Sequence, residues 1–176
     1  MSPGHDVEFT EYMSARMPAL RRLARLLCQD WYLADDLLQA AMTKAYVHWS
    51  RAVSADNTDA YVRAILVREF VQERRTGWAR RVSLAGRPIE TASEALDHEG
   101  ALDLRAAVAA LPPRQRAVLV LRYFCDLNVD QAARALECTP GTVKSQTAKA
   151  LSTLRESVGL AYDRDRDEPR EVAGSA

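Results

Sequence analysis

The sequence predicts an all-α protein of two small helical domains joined by a flexible acidic linker. Three observations carry that prediction. Apolar residues recur at three- and four-residue intervals along several stretches, the period of amphipathic helices. No period-two alternation and no Asn-Gly hairpin signal occurs. Residues 82–100 contain Gly, Pro, Ser and acids with no sustained apolar stripe, and so divide the chain.

The elements follow in order. Phe9, Met13, Met17, Leu20, Ala24 and Leu27 form the stripe of a first helix. A second is expected from Leu33 to Trp49, with Leu37, Ala41, Ala45 and His48 or Trp49 along one side. Asp56, Asn57 or Asp59 is placed to cap a third, from about Tyr61 to Trp78, with Ile65, Leu66, Phe70 and Val71 inward. Beyond the linker, Leu102 to Leu111 forms a short helix ended by Pro112-Pro113. Pro113 suits the first position of the next helix, where a missing N–H costs nothing. That helix, "PRQRAVLVLRYFCDL", is expected to pack Val118, Leu121 and Phe124. Asn128 caps "VDQAARALE", with Gln131 three residues on to complete a capping box. Thr139 caps the last helix, with Pro140 at its first position. The expected units are residues 1–81, a linker at 82–100, residues 101–158, and a disordered tail at 159–176.

Composition narrows the class. Apolar residues make up 48% and charged residues 27%, ordinary values for a globular protein. No run of about 18 apolar residues is present, and the N-terminus lacks the regions of a signal peptide, so no membrane insertion and a cytoplasmic location are expected. Cys28, Cys125 and Cys138 are odd in number and far apart, which predicts free thiols. His5, His48 and His98 offer no metal-ligand spacing, so neither metal nor cofactor is expected. Asp35 and Asp36 point about 100° apart on a helix and have no accompanying nucleophile. With no convergent set of catalytic groups, an enzyme is the least expected class.

The net charge of zero conceals a pattern. Residues 61–87 carry +5, residues 88–110 carry −4 and residues 111–158 carry +3. The two basic blocks coincide with helical motifs, which suggests two working surfaces separated by an acidic connector. From Asn128 to Leu154 two helices are joined by a turn of about four residues, the helix-turn-helix arrangement. Ala132, Ala133 and Leu136 are expected to face Val143, Ala150, Leu151 and Leu154. Thr142, Lys144, Ser145, Gln146 and Lys149 are left on the exposed face: two phosphate-seeking cations, with hydroxyl and amide groups able to reach base edges. On the residues alone, an operator-binding regulator and a helical interaction protein both remain open.

The segment "LPPRQRAVLVLRYFCDLNVDQAARALECTPGTVKSQTAKALSTLR" resembles region 4 of sigma-70-family factors, in particular the extracytoplasmic-function group of the SigE-like actinobacterial kind. The resemblance implies binding of the −35 promoter element in the major groove by Thr142, Lys144, Ser145, Gln146 and Lys149, and contact with the polymerase β flap. Gln146 and Lys149 stand where arginine is common in the family. Upstream, "LADDLLQAAMTKAY" looks like region 2.2, which docks on the β′ clamp helices. Asp36, Leu37 and Gln39 match, and Ala40 replaces the usual Glu. "AYVRAILVREFVQERRTGWARR" looks like regions 2.3 and 2.4, which hold the unpaired −10 strand. The residues implied are Tyr61, Arg63, Arg68, Arg74, Arg75, Trp78, Arg80 and Arg81. Cations can follow a single-strand backbone while Tyr61 and Trp78 offer stacking surfaces. Arg68 falls where relatives often have Asn, and Gln72 where they often have Asp. The resemblance thus implies a sigma factor that binds core RNA polymerase and directs promoter recognition and opening, with an anti-sigma factor as a further candidate partner.

Overall fold

The computed structural model describes residues 3–28, 30–75 and 99–167, with side chains described for 4–28, 30–73 and 104–157. All regular structure among them is helical. In α1 (Pro3–Cys28) the expected stripe turns inward: Met13, Leu20, Ala24 and Leu27 are buried, and Phe9 and Met17 lie half-buried against them. Helix α2 (Trp31–Val47) starts earlier than expected because Asp30 caps it, its Oδ1 accepting the Leu33 N–H at 3.1 Å. The chain breaks at His48 and resumes as the short α3 (Trp49–Val53). That break turns Trp49 into the core while His48 stays exposed. The Trp49 ring meets Phe9 edge-on at 5.3 Å, an arrangement favoured by the ring quadrupoles.

Of the three candidate caps, Asn57 serves α4 (Thr58–Arg75), accepting the Ala60 N–H at 2.9 Å. Asp59 instead accepts from the Tyr12 hydroxyl at 2.7 Å and pairs with Arg16 at 3.1 Å. Ile65, Leu66 and Phe70 are buried as expected, and Val71 is half-buried. Most of the expected linker lies outside the described residues. Its last two residues, Glu99 and Gly100, already belong to α5 (Glu99–Ala110).

Pro113 opens α6 (Pro113–Leu119), as its spacing predicts. The next five residues, Val120–Phe124, form a π-turn: the Cys125 N–H reaches the Val120 carbonyl at 2.9 Å. This wider turn moves the inward-facing position one residue later. Val118 and Leu121 are buried, but Cys125 takes the place expected for Phe124, which is 51% exposed. Helix α7 (Val129–Ala135) carries the full capping box between Asn128 and Gln131. Helix α8 (Pro140–Asp167) is capped by Thr139, whose Oγ1 accepts the Thr142 N–H at 3.1 Å. It runs through residue 167, into the segment expected to be a disordered tail. No proline intervenes between Pro140 and Pro169, and Gly159 costs a helix only about 1 kcal/mol.

The two sets of helices share one core. Buried Ala117, Val118, Val120, Leu121, Cys125, Leu127, Ala132, Ala133 and Val143 are continuous with the buried residues of α1, α2 and α4. Arg116 crosses the seam. Its guanidinium donates to the Leu27 carbonyl at the end of α1 and to the Ala109 and Leu111 carbonyls, and it lies 5.7 Å from the Phe70 ring. Ala150, Leu151 and Leu154 depart from expectation, forming a separate small cluster with Leu111 and Leu119.

Candidate nucleic-acid interface

Three surfaces carry the residues singled out in the sequence. The first is the start of α8. Thr139 Oγ1 lies 2.9 Å from Thr142 Oγ1, and Ser145 Oγ donates to the Thr142 carbonyl at 3.0 Å, so the polar first turns are held in place. Lys144, Ser145 and Lys149 are exposed. Thr142 and Gln146 are half-buried and line a cleft of about 160 Å³ shared with Arg68 of α4 and Glu137 of the turn. The five expected −35 residues therefore split into three facing outward and two facing the cleft.

The second surface is one side of α4. Tyr61 and Arg68 line a cavity of about 330 Å³ with Lys44, His48, Arg51 and Glu137. Lys44 pairs with the buried Glu69 at 2.6 Å, which fixes its ammonium at the rim. Arg68 is already engaged: its Nε donates to the Ala135 carbonyl at 3.0 Å and its Nη1 lies 3.5 Å from Glu137 Oε1. Arg63 does not join this wall. It is half-buried elsewhere on α4, close enough to Tyr12 and Cys125 for its charge partly to oppose the upward shift of both. Burial pushes the Cys125 thiol up to about 11, and burial with the Asp59 hydrogen bond raises the Tyr12 hydroxyl. Arg74 and Arg75 end α4, and their side chains lie outside the described residues, as do Trp78, Arg80 and Arg81 altogether.

The third surface is the edge of α2. Asp36 and Gln39 are exposed, and Tyr32 beside them is 76% exposed. Leu37 is fully buried and supports the edge from within. Asp35 is held by Arg21 at 3.4 Å. Sequence reasoning missed Lys44, Arg51, Glu137 and Arg116, whose positions depend on contacts between distant segments. Glu137 alone left a local trace, because a turn between two helices commonly needs a residue with positive φ, and Glu137 has φ 51°.

Residues 13–80 match the family model for Sigma-70 region 2, and residues 101–154 match that for Sigma-70, region 4. The chain belongs to the sigma-70 family of RNA polymerase sigma factors, in its extracytoplasmic-function group. It is 36% identical over 168 residues to the RNA polymerase sigma-E factor of Streptomyces coelicolor, covering 92% of each chain. It is 32% identical over 160 residues to the ECF RNA polymerase sigma factor SigM of Mycobacterium tuberculosis, covering 89% of this chain and 80% of the other. The fold is similar to that of the sigma factor RpoE from Bartonella quintana, solved with the anti-sigma factor NepR. That likeness has a TM-score of 0.64 at 26% identity, over 87% of this chain and 98% of that one. The chain thus binds core RNA polymerase and promoter DNA and directs promoter recognition and opening. No described helix is long and apolar enough to cross a membrane.

Proposed function

We propose a residue-level division of labour for this sigma factor, acting in the cytoplasm without catalytic groups of its own. Asp36 and Gln39 dock on the β′ clamp helices, and region 4 touches the β flap. Arg68, Tyr61 and the cations that follow them hold the unpaired −10 strand. Lys144, Ser145 and Lys149, with Thr142 and Gln146, read the −35 element. A polypeptide of the anti-sigma kind is a proposed partner, since a structurally similar factor is bound by one. Each contact surface is small. Tethering both on polymerase supplies the effective concentration that neither has alone, and a chain of zero net charge relies on polymerase for nonspecific DNA affinity.

The observation that carries this reading is the outward face of α8, where Lys144, Ser145 and Lys149 stand exposed on a doubly secured helix start. Run-off transcription with purified core polymerase tests it, on promoters selected from a random library. Lys144→Glu replaces a phosphate-seeking cation with a repelling charge and is expected to lower −35-dependent transcription about tenfold or more, with polymerase binding intact. Asp36→Arg is expected to lose co-purification with polymerase. Unchanged transcription from Lys144→Glu refutes the α8 assignment, and unchanged co-purification of Asp36→Arg refutes the α2 one.

A further inference from the structure

We infer that Tyr32 is the apolar anchor by which this chain seats on core RNA polymerase, its ring buried against the β′ clamp helices. The inference rests on the reading of the α2 edge as the docking surface, and adds a residue that lies outside the motif which suggested that surface.

Tyr32, Asp36, Gln39 and Thr43 follow one another at steps of four, three and four residues, which sets them in one line along α2. All four are exposed, while Ala34, Leu37, Leu38, Ala41 and Ala45 hold the other side in the core. Asp36 is the one charge among the four. Solvated ion pairs contribute little to binding, so the line needs an apolar contact to hold a partner. Tyr32 offers one at 76% exposure, the highest of the large apolar side chains among the described residues. A single exposed ring is ordinary on a protein surface. A ring one turn before the docking carboxylate, on the same face, is placed to be buried together with it. Val47 continues the line at its far end, but it stands about 22 Å from Tyr32, at the cavity lined by His48 and Arg51.

The first turn of α2 is a fixed mount for that ring. Asp30 caps it through the Leu33 N–H at 3.1 Å, the Arg25 guanidinium lies 3.2 Å from the Trp31 ring centre, and Arg21 pairs with Asp35 at 3.4 Å. The residues around Tyr32 are thereby tied to α1, and the backbone beneath the ring needs no ordering when a partner arrives. A tyrosine has two side-chain torsions to fix and brings about 150 Å² or more of contact area. That combination makes tyrosine frequent among the few residues that dominate the energy of an interface.

Displacement of the fluorescently labelled parent chain from purified core polymerase by unlabelled variants tests the anchor. Tyr32→Ala removes a side chain that is already in water, so its helicity and urea midpoint are expected to match the parent. It is expected to bind core polymerase about ten- to thirtyfold more weakly. Tyr32→Phe keeps the ring and is expected to bind within about twofold of the parent. At saturating concentration Tyr32→Ala is expected to give parental run-off transcription, since the DNA-facing residues of α4 and α8 are unchanged. If Tyr32→Ala displaces like the parent while Asp36→Arg fails to displace, the anchor is overturned and the α2 reading stands. If both displace like the parent, the anchor and the docking surface fall together. Tyr32→Phe as weak as Tyr32→Ala overturns the ring contact. Transcription that stays low at saturation overturns the anchor as well, by placing Tyr32 in a step after docking.

Discussion

Burying a guanidinium is costly unless acceptors compensate it, and Arg116, 6% exposed, donates to three backbone carbonyls through its two terminal nitrogens. Arg116→Met keeps much of the volume but leaves those carbonyls without their partner. It is expected to lower stability by about 2–4 kcal/mol, read from equilibrium urea unfolding. Arg116→Lys is expected to recover less than half of that, since one ammonium cannot span the three acceptors of a planar fork. Cys125 supplies a pH test. Its folded pKa of about 11 lies above the ordinary thiol value of 9.0, so folding favours the neutral thiol. That contribution is complete below pH 9 and is lost as pH rises toward 11. Stability measured across this window is expected to fall, and to fall less steeply in Cys125→Ala. Tyr12, raised in the same direction, extends the decline further into alkali. The Asp36 exposure was legible from the polar position beside an apolar stripe. Leu37, set with Ala41 and Ala45 on the apolar side of the same helix, is buried as that stripe implies.

At the level of elements, local chemistry was readable and nonlocal chemistry was not. The caps at Asn128 and Thr139 follow from side chains that bond backbone groups within three residues, and the structure has both. Asn128→Ala is expected to cost about 1 kcal/mol, measurable as a lower urea midpoint with an unchanged slope. The π-turn was not readable, because nothing in "VLRYFCDL" interrupts a regular helix. It is secured by the closing turn beyond it, where the Leu127 N–H meets the Leu121 carbonyl at 2.9 Å and Asp126 takes φ 54°. Once formed, it exchanges Phe124 for Cys125 in the core and leaves Tyr123 and Phe124 side by side on the surface.

For the molecule as a whole, the sequence revealed two helical units but not their union. The stripes of α1, α2 and α4 say which faces are apolar, yet each stripe is equally satisfied by partners within its own unit. The continuation of that core into Val118, Leu121 and Cys125 arises only when the units meet. A shared core of this kind predicts that both units melt together. Scanning calorimetry of the full chain is expected to show one transition with equal calorimetric and van't Hoff enthalpies, and two separated transitions would show that each unit unfolds by itself.

The bond from Arg116 to the Leu27 carbonyl bears on how such proteins can be recombined. Sigma factors invite chimeras in which one promoter-reading half is exchanged for another to give new pairs of −10 and −35 preferences. Here the second half supplies the group that solvates the end of the first half's leading helix. A transplanted region 4 without an arginine at this place would leave that carbonyl buried and bare, whatever its DNA specificity. The grafting junction that preserves the fold therefore lies within the region, beyond Arg116, rather than at the acidic connector where the chain looks easiest to cut.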